Sequence, residues 1–254
     1  MVTSKNITAS IVAYKEDSKE LKNVIHSFLE YPFSKKIYVI DNSPTNSLEE
    51  KIKGDAISYF FSPDNLGFAK GHNSILDKIN SESDYHLILN PDVTFQPDIL
   101  EKLIKEFQKD HGLSMIAPKV LYTNKKVQYT ARKFPTILEL FCRFFGIFKN
   151  YTNKREYKNQ NLQKSFYVDF IQGCFMLFKT KDLIALQGFD ERYFLYMEDV
   201  DICKKIKQAG KKILYFPDVE ITHVFKKGSS KSIRLFFIHI SSMIKYFMKW
   251  GFKQ

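Results

Sequence analysis

Apolar residues in the first half of the chain fall alternately into short runs rich in Ile and Val and into helical stripes. Residues 7–14 form an apolar run bounded by polar residues and predict a buried strand. Residues 18–30 then place Leu21, Val24, Ile25, Phe28 and Leu29 on one helical face. Residues 36–40 and 57–61 predict two more strands. A helix follows over 68–79 with Ile75, Leu76 and Ile79 inward, then a strand over 85–89. Residues 97–108 predict another helix, with Pro97 suited to its first turn. This alternation predicts an α/β fold with an open, mainly parallel sheet covered by helices on both faces. Ligands of such sheets sit beyond the carboxyl ends of the strands. Asp41, Asn65 and Asp92 all fall just after predicted strands, which is the physical reason to gather them into one site.

Beyond His111 the pattern loosens. Residues 115–122 and 126–130 predict short strands about a turn, and 136–148 an aromatic-rich helix. The Asn- and Lys-rich stretch 149–164 predicts a mobile loop. Residues 166–178 return to strand, interrupted at Gly173. Residues 199–208 predict a helix with Gly210 as its cap, and 213–216 and 219–223 two closing strands. Residues 232–249 carry Ile233, Phe236, Phe237, Ile240, Met243, Ile244, Phe247 and Met248 on one side. Arg234, Ser241, Ser242, Lys245 and Lys249 form the other, making a basic amphipathic helix that ends in Trp250 and Phe252. No internal repeat is present.

Charge sharpens this division. Of the formal +11, residues 124–164 hold ten Lys or Arg against two Glu, and residues 221–254 hold seven against no acid. The remainder is mildly acidic. The asymmetry points to an anionic partner: a membrane surface, a phospholipid-linked substrate or nucleic acid. Three cysteines without a close-spaced pair suit a reducing cytosol. The polar start of the chain does not read as a secretory signal, and no apolar run approaches the roughly 18 residues of a spanning helix. The expected organisation is one α/β domain over 1–230 with a helical extension over 231–254.

Several short motifs carry candidate chemistry. Asn90-Pro91-Asp92 follows an apolar strand; its plain reading is a turn. Asp41 ends a strand, where a carboxylate accepts hydrogen bonds from a ligand or merely caps a turn. Asn65 to Asn73 sets Gly67 and Gly71 at a helix start, allowing close backbone approach and favouring anions. Glu198, Asp199 and Asp201 follow an aromatic run, Tyr193-Phe194-Leu195-Tyr196; acids in a first helical turn also answer the helix dipole. His223 ends a strand ahead of Lys226-Lys227-Gly228-Ser229-Ser230, a placement that also suits a structural histidine. Arg132 lies in Thr130-Ala131-Arg132-Lys133-Phe134-Pro135-Thr136.

The order and spacing of these motifs, across about residues 7–230, resemble a family 2 glycosyltransferase of the GT-A fold, in its rhamnosyltransferase-like branch. Gly188-Phe189-Asp190-Glu191 followed by Tyr196-Met197-Glu198-Asp199-Val200-Asp201 is the most specific match. The resemblance implies an inverting, metal-dependent hexosyltransferase. It implies that Asp199, with Glu198 as alternate, deprotonates the acceptor hydroxyl, and that Asp201 supports them. It implies that Asp92, with His223 nearby, holds Mg²⁺ or Mn²⁺ against the diphosphate. Ala13, Tyr14, Asp41, Asn65, Gly67, Gly71, Asn73, Asn90 and Arg132 would line the donor nucleotide, Arg132 through a charge-assisted fork. Two departures stand out: many members have Asp where this chain has Asn90, and Asn where it has Lys15.

The implied donor is dTDP-rhamnose, with other hexosyl or galactofuranosyl donors open. The implied partners are a polyprenyl-diphosphate-linked or other glycan acceptor of bacterial surface polysaccharide synthesis and a peripheral membrane contact, with no nucleic acid. The expected location is cytoplasmic, at the inner face of the cell membrane. Gly173 is expected to let sugar or acceptor approach the chain closely. A sugar nucleotidyltransferase would carry an early Gly-rich loop, and residues 7–20 contain no glycine. A non-catalytic membrane- or nucleic-acid-binding module would explain the charge but would not require the acids; a glycosyltransferase-like chain without activity is a further reading.

Overall fold

The computed structural model describes residues 5–224 and 232–252, apart from the side chains of Phe141, Arg143, Phe144 and Phe145. The first half runs β1 (Ile7–Ala13), α1 (Ser18–Leu29), β2 (Ser34–Asp41), β3 (Ile57–Phe61), α2 (Gly67–Asn73), α3 (Leu76–Glu82), β4 (Tyr85–Leu89), β5 (Val93–Thr94) and α4 (Ile99–Lys109). It follows the alternation read from the sequence. Asp17 starts α1 by accepting the N–H groups of Lys19 and Glu20, which have no partner inside the helix. The single helix expected over 68–79 is two. Ile75 leaves the helical path at φ −115° and ψ 5°, and Ser74 Oγ donates to Gly71 O (2.7 Å), a local bond that competes with the helical ladder.

The second half runs β6 (Leu113–Leu121), β7 (Val127–Gln128), β8 (Ala131–Arg132), α5 (Ile137–Phe145), α6 (Lys149–Arg155), β9 (Phe166–Tyr167), β10 (Phe170–Ile171), β11 (Phe175–Lys179), α7 (Thr180–Ala185), α8 (Glu198–Gln208), β12 (Lys212–His223) and α9 (Ile233–Trp250). The stretch 149–164 differs from the expected loop. Its first turns form α6, held where Arg155 Nε donates to the buried Glu139 carboxylate at 2.6 Å, and Tyr157 is buried against Phe166. The two closing strands are one, β12, whose register breaks between Phe216 and Glu220. Pro217 there cannot donate to a ladder. The boundary expected at 230/231 and the Lys226–Ser230 segment lie outside the described residues.

The central sheet has the order β3-β2-β1-β4-β11-β6-β12-β5. The four strands β3, β2, β1 and β4 are parallel; β11 runs antiparallel to both β4 and β6, and β5 antiparallel to β12. Since β6 runs with β4 and β12 is parallel to β6, the sheet is mixed but mainly parallel as expected, with β11 and β5 the reversed strands of this order. Apolar alternation reports which face a residue takes and not which way a strand runs, so the reversal at β11 left no mark in the pattern.

Two apolar layers sandwich this sheet. Ile7, Ala9, Ile11 and Ala13 of β1 face Leu21, Val24 and Phe28 of α1 and share that layer with Leu100, Leu103 and Phe107 of α4. The other layer includes Ile79, Leu183, Ile202, Ile206, Tyr246 and Phe247. Period-two alternation turns Thr8 and Ser10 away from the α1 layer, where they join a buried chain of hydrogen bonds. Ser10 Oγ lies 2.7 Å from His72 Nδ1 and 2.8 Å from His86 Nε2, and Thr8 Oγ1 lies 2.8 Å from His86 Nδ1. Burial pushes the His86 pKa down to about 3 and His72 well below its usual value, so both rings are neutral in the fold.

Candidate active site

The carboxyl ends of β1 and β2 form the first wall. Asn42 N–H donates to Ala13 O (2.9 Å), and Asp41 is buried, accepting from Ser43 N–H at 2.9 Å and Tyr59 OH at 2.6 Å. Tyr14 stands exposed beside them. Lys15 takes a left-handed φ of 57° while its N–H donates to Ser43 Oγ, a backbone state that Asn enters more readily than Lys. Asn42 Nδ2 reaches Gly67 O (3.3 Å), and Asn65 Oδ1 accepts Gly67 N–H (3.0 Å), which draws the 65–67 turn onto this wall. Gly67 has φ 77°, and a Cβ there would lie 2.2 Å from Phe194 O; no other residue fits. Gly71 packs on Val12, and Asn73 holds Phe189 at both its N–H and its carbonyl, so these two fasten α2 to its neighbours.

The second wall lies where β4 and β12 end. Asp92 Oδ1 lies 3.3 Å from His223 Nε2. Pairing of Thr222 with Thr94 and of His223 with Val93 brings the two together. Gln128, which the sequence did not single out, orients the ring. Its Nε2 donates to His223 O (2.8 Å) and Leu121 O (3.3 Å), and this fixes Oε1 against His223 Nδ1 at 3.0 Å. Nδ1 must then carry a proton, and Nε2 faces the Asp92 carboxylate. A ring nitrogen held this way by an amide and aimed at a carboxylate fits a hard divalent cation. Among the described residues no group of three or more His, Cys, Asp or Glu gathers, so Mg²⁺ or Mn²⁺ here would complete its shell with diphosphate and water oxygens.

The third wall is the head of α8. Tyr196 and Met197 both have positive φ, 69° and 70°, a strained pair immediately before Glu198 and Asp199. Glu198 is buried, and its Oε2 has no hydrogen-bond partner. Burial, then the neighbouring Asp199 charge, raises its pKa to about 8. Asp199 accepts Val200 N–H (2.8 Å) and Gly173 N–H (3.1 Å). Burial raises its pKa too, while those two N–H groups and the Arg132 charge pull it back. Geometry divides the pair: two backbone N–H groups favour a negative charge on Asp199, whereas Glu198 Oε2 has no donor to support one. Arg132 Nε donates to Tyr129 O (3.0 Å), and its guanidinium pairs with Glu156.

The Gly173–Cys174 segment joins the second and third walls. Cys174 O accepts Asn90 N–H (3.0 Å) as Gly173 N–H holds Asp199. Burial pushes the Cys174 thiol up to about 12, and the carboxylates of Asp92 and Asp199 both add to the shift. Gly173 itself meets Phe68 and Asp199 at ordinary contact distances, so the N–H it supplies matters here more than the missing side chain. The sequence also missed Lys249 and Trp250. Both reach the buried Asp201: Lys249 Nζ donates to Oδ2 at 2.8 Å and Trp250 Nε1 to Oδ1 at 2.7 Å. Forty-eight positions separate Lys249 from Asp201, and no local pattern links them.

Comparison with known proteins bears on the family and the fold. The chain is 28% identical over 220 residues to the rhamnosyltransferase WbbL of Escherichia coli K12, spanning 83% of this chain and 81% of that one. It is 24% identical over 171 residues to the N-acetylglucosaminyl-diphospho-decaprenol L-rhamnosyltransferase of Mycobacterium tuberculosis, spanning 63% of this chain and 56% of that one. The structure resembles GalNAc-T7 solved with UDP, GalNAc and Mn²⁺ (TM-score 0.65, 15% identity, 87% of this chain and 43% of that one). It also resembles the mannosyltransferase PcManGT of Pyrobaculum calidifontis solved with GDP-Man and Mn²⁺ (TM-score 0.65, 14% identity, 97% of this chain and 65% of that one). At these identities the likeness shows the fold, which is GT-A. The sequence model of glycosyl transferase family 2 matches residues 8–186, most of the chain, and the chain belongs to that family.

Proposed function

We propose that this glycosyltransferase transfers rhamnose from dTDP-rhamnose, with inversion, to a hydroxyl of a lipid-linked glycan in bacterial surface polysaccharide synthesis. One observation supports the reading: the Gly173–Cys174 segment holds Asp199 through Gly173 N–H and the Asn90–Asp92 turn, with His223 beside it, through Cys174 O, so the two acidic pairs are neighbours held at separate points. An inverting transfer needs this separation, since the base must act on the face of the sugar opposite the leaving diphosphate. Asp199 is the base. Its charge is aimed by two backbone N–H groups, and its raised pKa strengthens it as a proton acceptor. Glu198 remains a neutral neighbour that spares the site a second buried charge. Asp41 and the 65–67 turn hold the nucleotide, and Arg132 adds a positive charge near the reacting groups. A divalent cation held by Asp92 and His223 would neutralise charge on the departing diphosphate. The choice of rhamnose and of a lipid-linked acceptor is supported by the two relatives named as rhamnosyltransferases, one of them named for a diphospho-decaprenol acceptor. Residues 1–230 form the catalytic unit and 231–254 an extension, and the enzyme works at the cytoplasmic face of the membrane.

Nucleotide diphosphate release and donor-induced thermal shift, measured with Mg²⁺ or Mn²⁺ and a membrane-lipid acceptor, test this reading. Asp199→Asn should keep the thermal shift with dTDP-rhamnose but slow transfer by about 10²–10⁴-fold. Full transfer by that variant sinks the assigned base. Turnover of a different donor alone would sink rhamnose and leave the class standing.

A further inference from the structure

The helix α9 attaches to the domain with only part of its surface. Tyr246 and Phe247 are buried, and Ser242 Oγ donates to Leu195 O (2.9 Å). Lys245 Nζ donates to Arg192 O (2.7 Å), and Lys249 Nζ reaches Asp190 and Asp201, each at 2.8 Å. The His239 ring lies 4.6 Å from that of Tyr196. Every one of these contacts falls on the segment 190–201, the strained turn that presents Glu198 and Asp199 and the helix it opens. The lysines expected on an outer basic stripe are thus turned to the protein.

A second stripe is left outside. Ile233, Phe237, Ile244 and Met248 follow one another at spacings of four, seven and four residues, which keeps them on one helical face, and are 79%, 63%, 55% and 75% exposed. Phe252 extends the stripe and Arg234 borders it. Large apolar side chains gathered on one exposed face mark a contact site. Charge identifies the occupant. Residues 221–254 hold seven Lys or Arg and no acid. A second copy of the chain would bring this same positive charge against itself, whereas an anionic bilayer answers both the charge and the apolar stripe. The helix is not long and apolar enough to cross a membrane, so the contact runs along the surface.

We propose that α9 is an interfacial helix: its outer stripe enters the surface of an anionic bilayer while its inner side fixes the turn that carries the base. The bilayer as the source of acceptor rests on the lipid-linked reading above; the docking itself does not. The test is co-sedimentation of the full chain with phosphatidylcholine vesicles, with and without phosphatidylglycerol, in the absence of donor and acceptor. The wild type should bind the anionic vesicles, and Phe237→Ser/Met248→Ser should bind about tenfold less or weaker, with unchanged thermal unfolding. Failure of the wild type to bind, or equal binding by the double variant, overturns the proposal. So does a wild-type dimer in sedimentation equilibrium that the double variant dissolves, which would make a second copy the occupant. Because these vesicles carry no substrate, binding to them is read independently of turnover: binding here with no turnover in the donor-and-acceptor assay would count against the transferase reading alone, and turnover in that assay without binding here against α9 alone.

Discussion

The helices α4 and α9 are both amphipathic, and they treat their apolar residues in opposite ways. In α4, Ile99, Leu100, Leu103, Ile104 and Phe107 are buried on the sheet, while Lys102, Lys105 and Lys109 pair with acids on the outer side. In α9 the inner side includes a serine, two lysines and a tryptophan N–H that meet backbone carbonyls and buried acids, and much of the apolar side stays out. Both are legible as amphipathic from spacing alone. The direction each side faces follows from what it meets: α4 lies over a continuous apolar sheet face, whereas α9 meets Asp190, Asp201 and the carbonyls of the 190–196 turn. An apolar stripe is therefore a statement that something covers it, and the covering surface need not belong to the same chain.

The widest gap expected between the two helices is in stability. Leu103→Ala should cost about 2–5 kcal/mol, because it opens a cavity in a fully buried layer. Phe237→Ala should stay within about 0.5 kcal/mol, since its ring is largely exposed. Urea denaturation of both variants measures the difference, and comparable losses would mean that α9 is packed more tightly than the structure has it.

Acid should next separate the buried interior of the sheet from the α9 anchor. The folded His86 pKa lies below the unfolded value, so the unfolded chain takes up the proton first and stability falls as pH drops from about 6.5 toward 3. That group alone should remove roughly 2 kcal/mol between pH 7 and pH 5. Asp190, which anchors α9, is held below the usual carboxylate range by Arg192 and then Lys249. Its contribution persists above about 3.8 and is lost only as pH falls further. Urea midpoints at pH 7 and pH 5 that coincide would contradict the buried neutral histidines.

The smallest difference expected between the two helices is at the anchor. Lys249→Met removes one donor from the buried Asp201 but leaves Trp250 Nε1 and the Tyr193 hydroxyl in place, so the loss should be about 1–2 kcal/mol. Hydrogen exchange in α9 should rise while that of α4 does not change. Unaltered protection in α9 would show that Tyr246 and Phe247 hold it without help from the charge.

The sequence by itself determined the α/β alternation, because burial at period two and at 3.6 writes itself into local spacing. It also marked most of the candidate site: Asp41, Asp92, Asp199 and His223 stand at element ends whose boundaries are local. Position 67 was legible as glycine, though its reason, the carbonyl of Phe194 against α2, was not. Tertiary structure alone decided the rest. The antiparallel insertion of β11 sets Gly173 N–H on Asp199 and Cys174 O on Asn90, and so joins two walls of the site. Gln128 fixes which nitrogen of His223 faces Asp92, and Lys249 and Trp250 close on Asp201 from the far end of the chain. These contacts depend on distances between elements remote in sequence, and hydrophobic spacing carries information only over the few residues that share a turn or a strand.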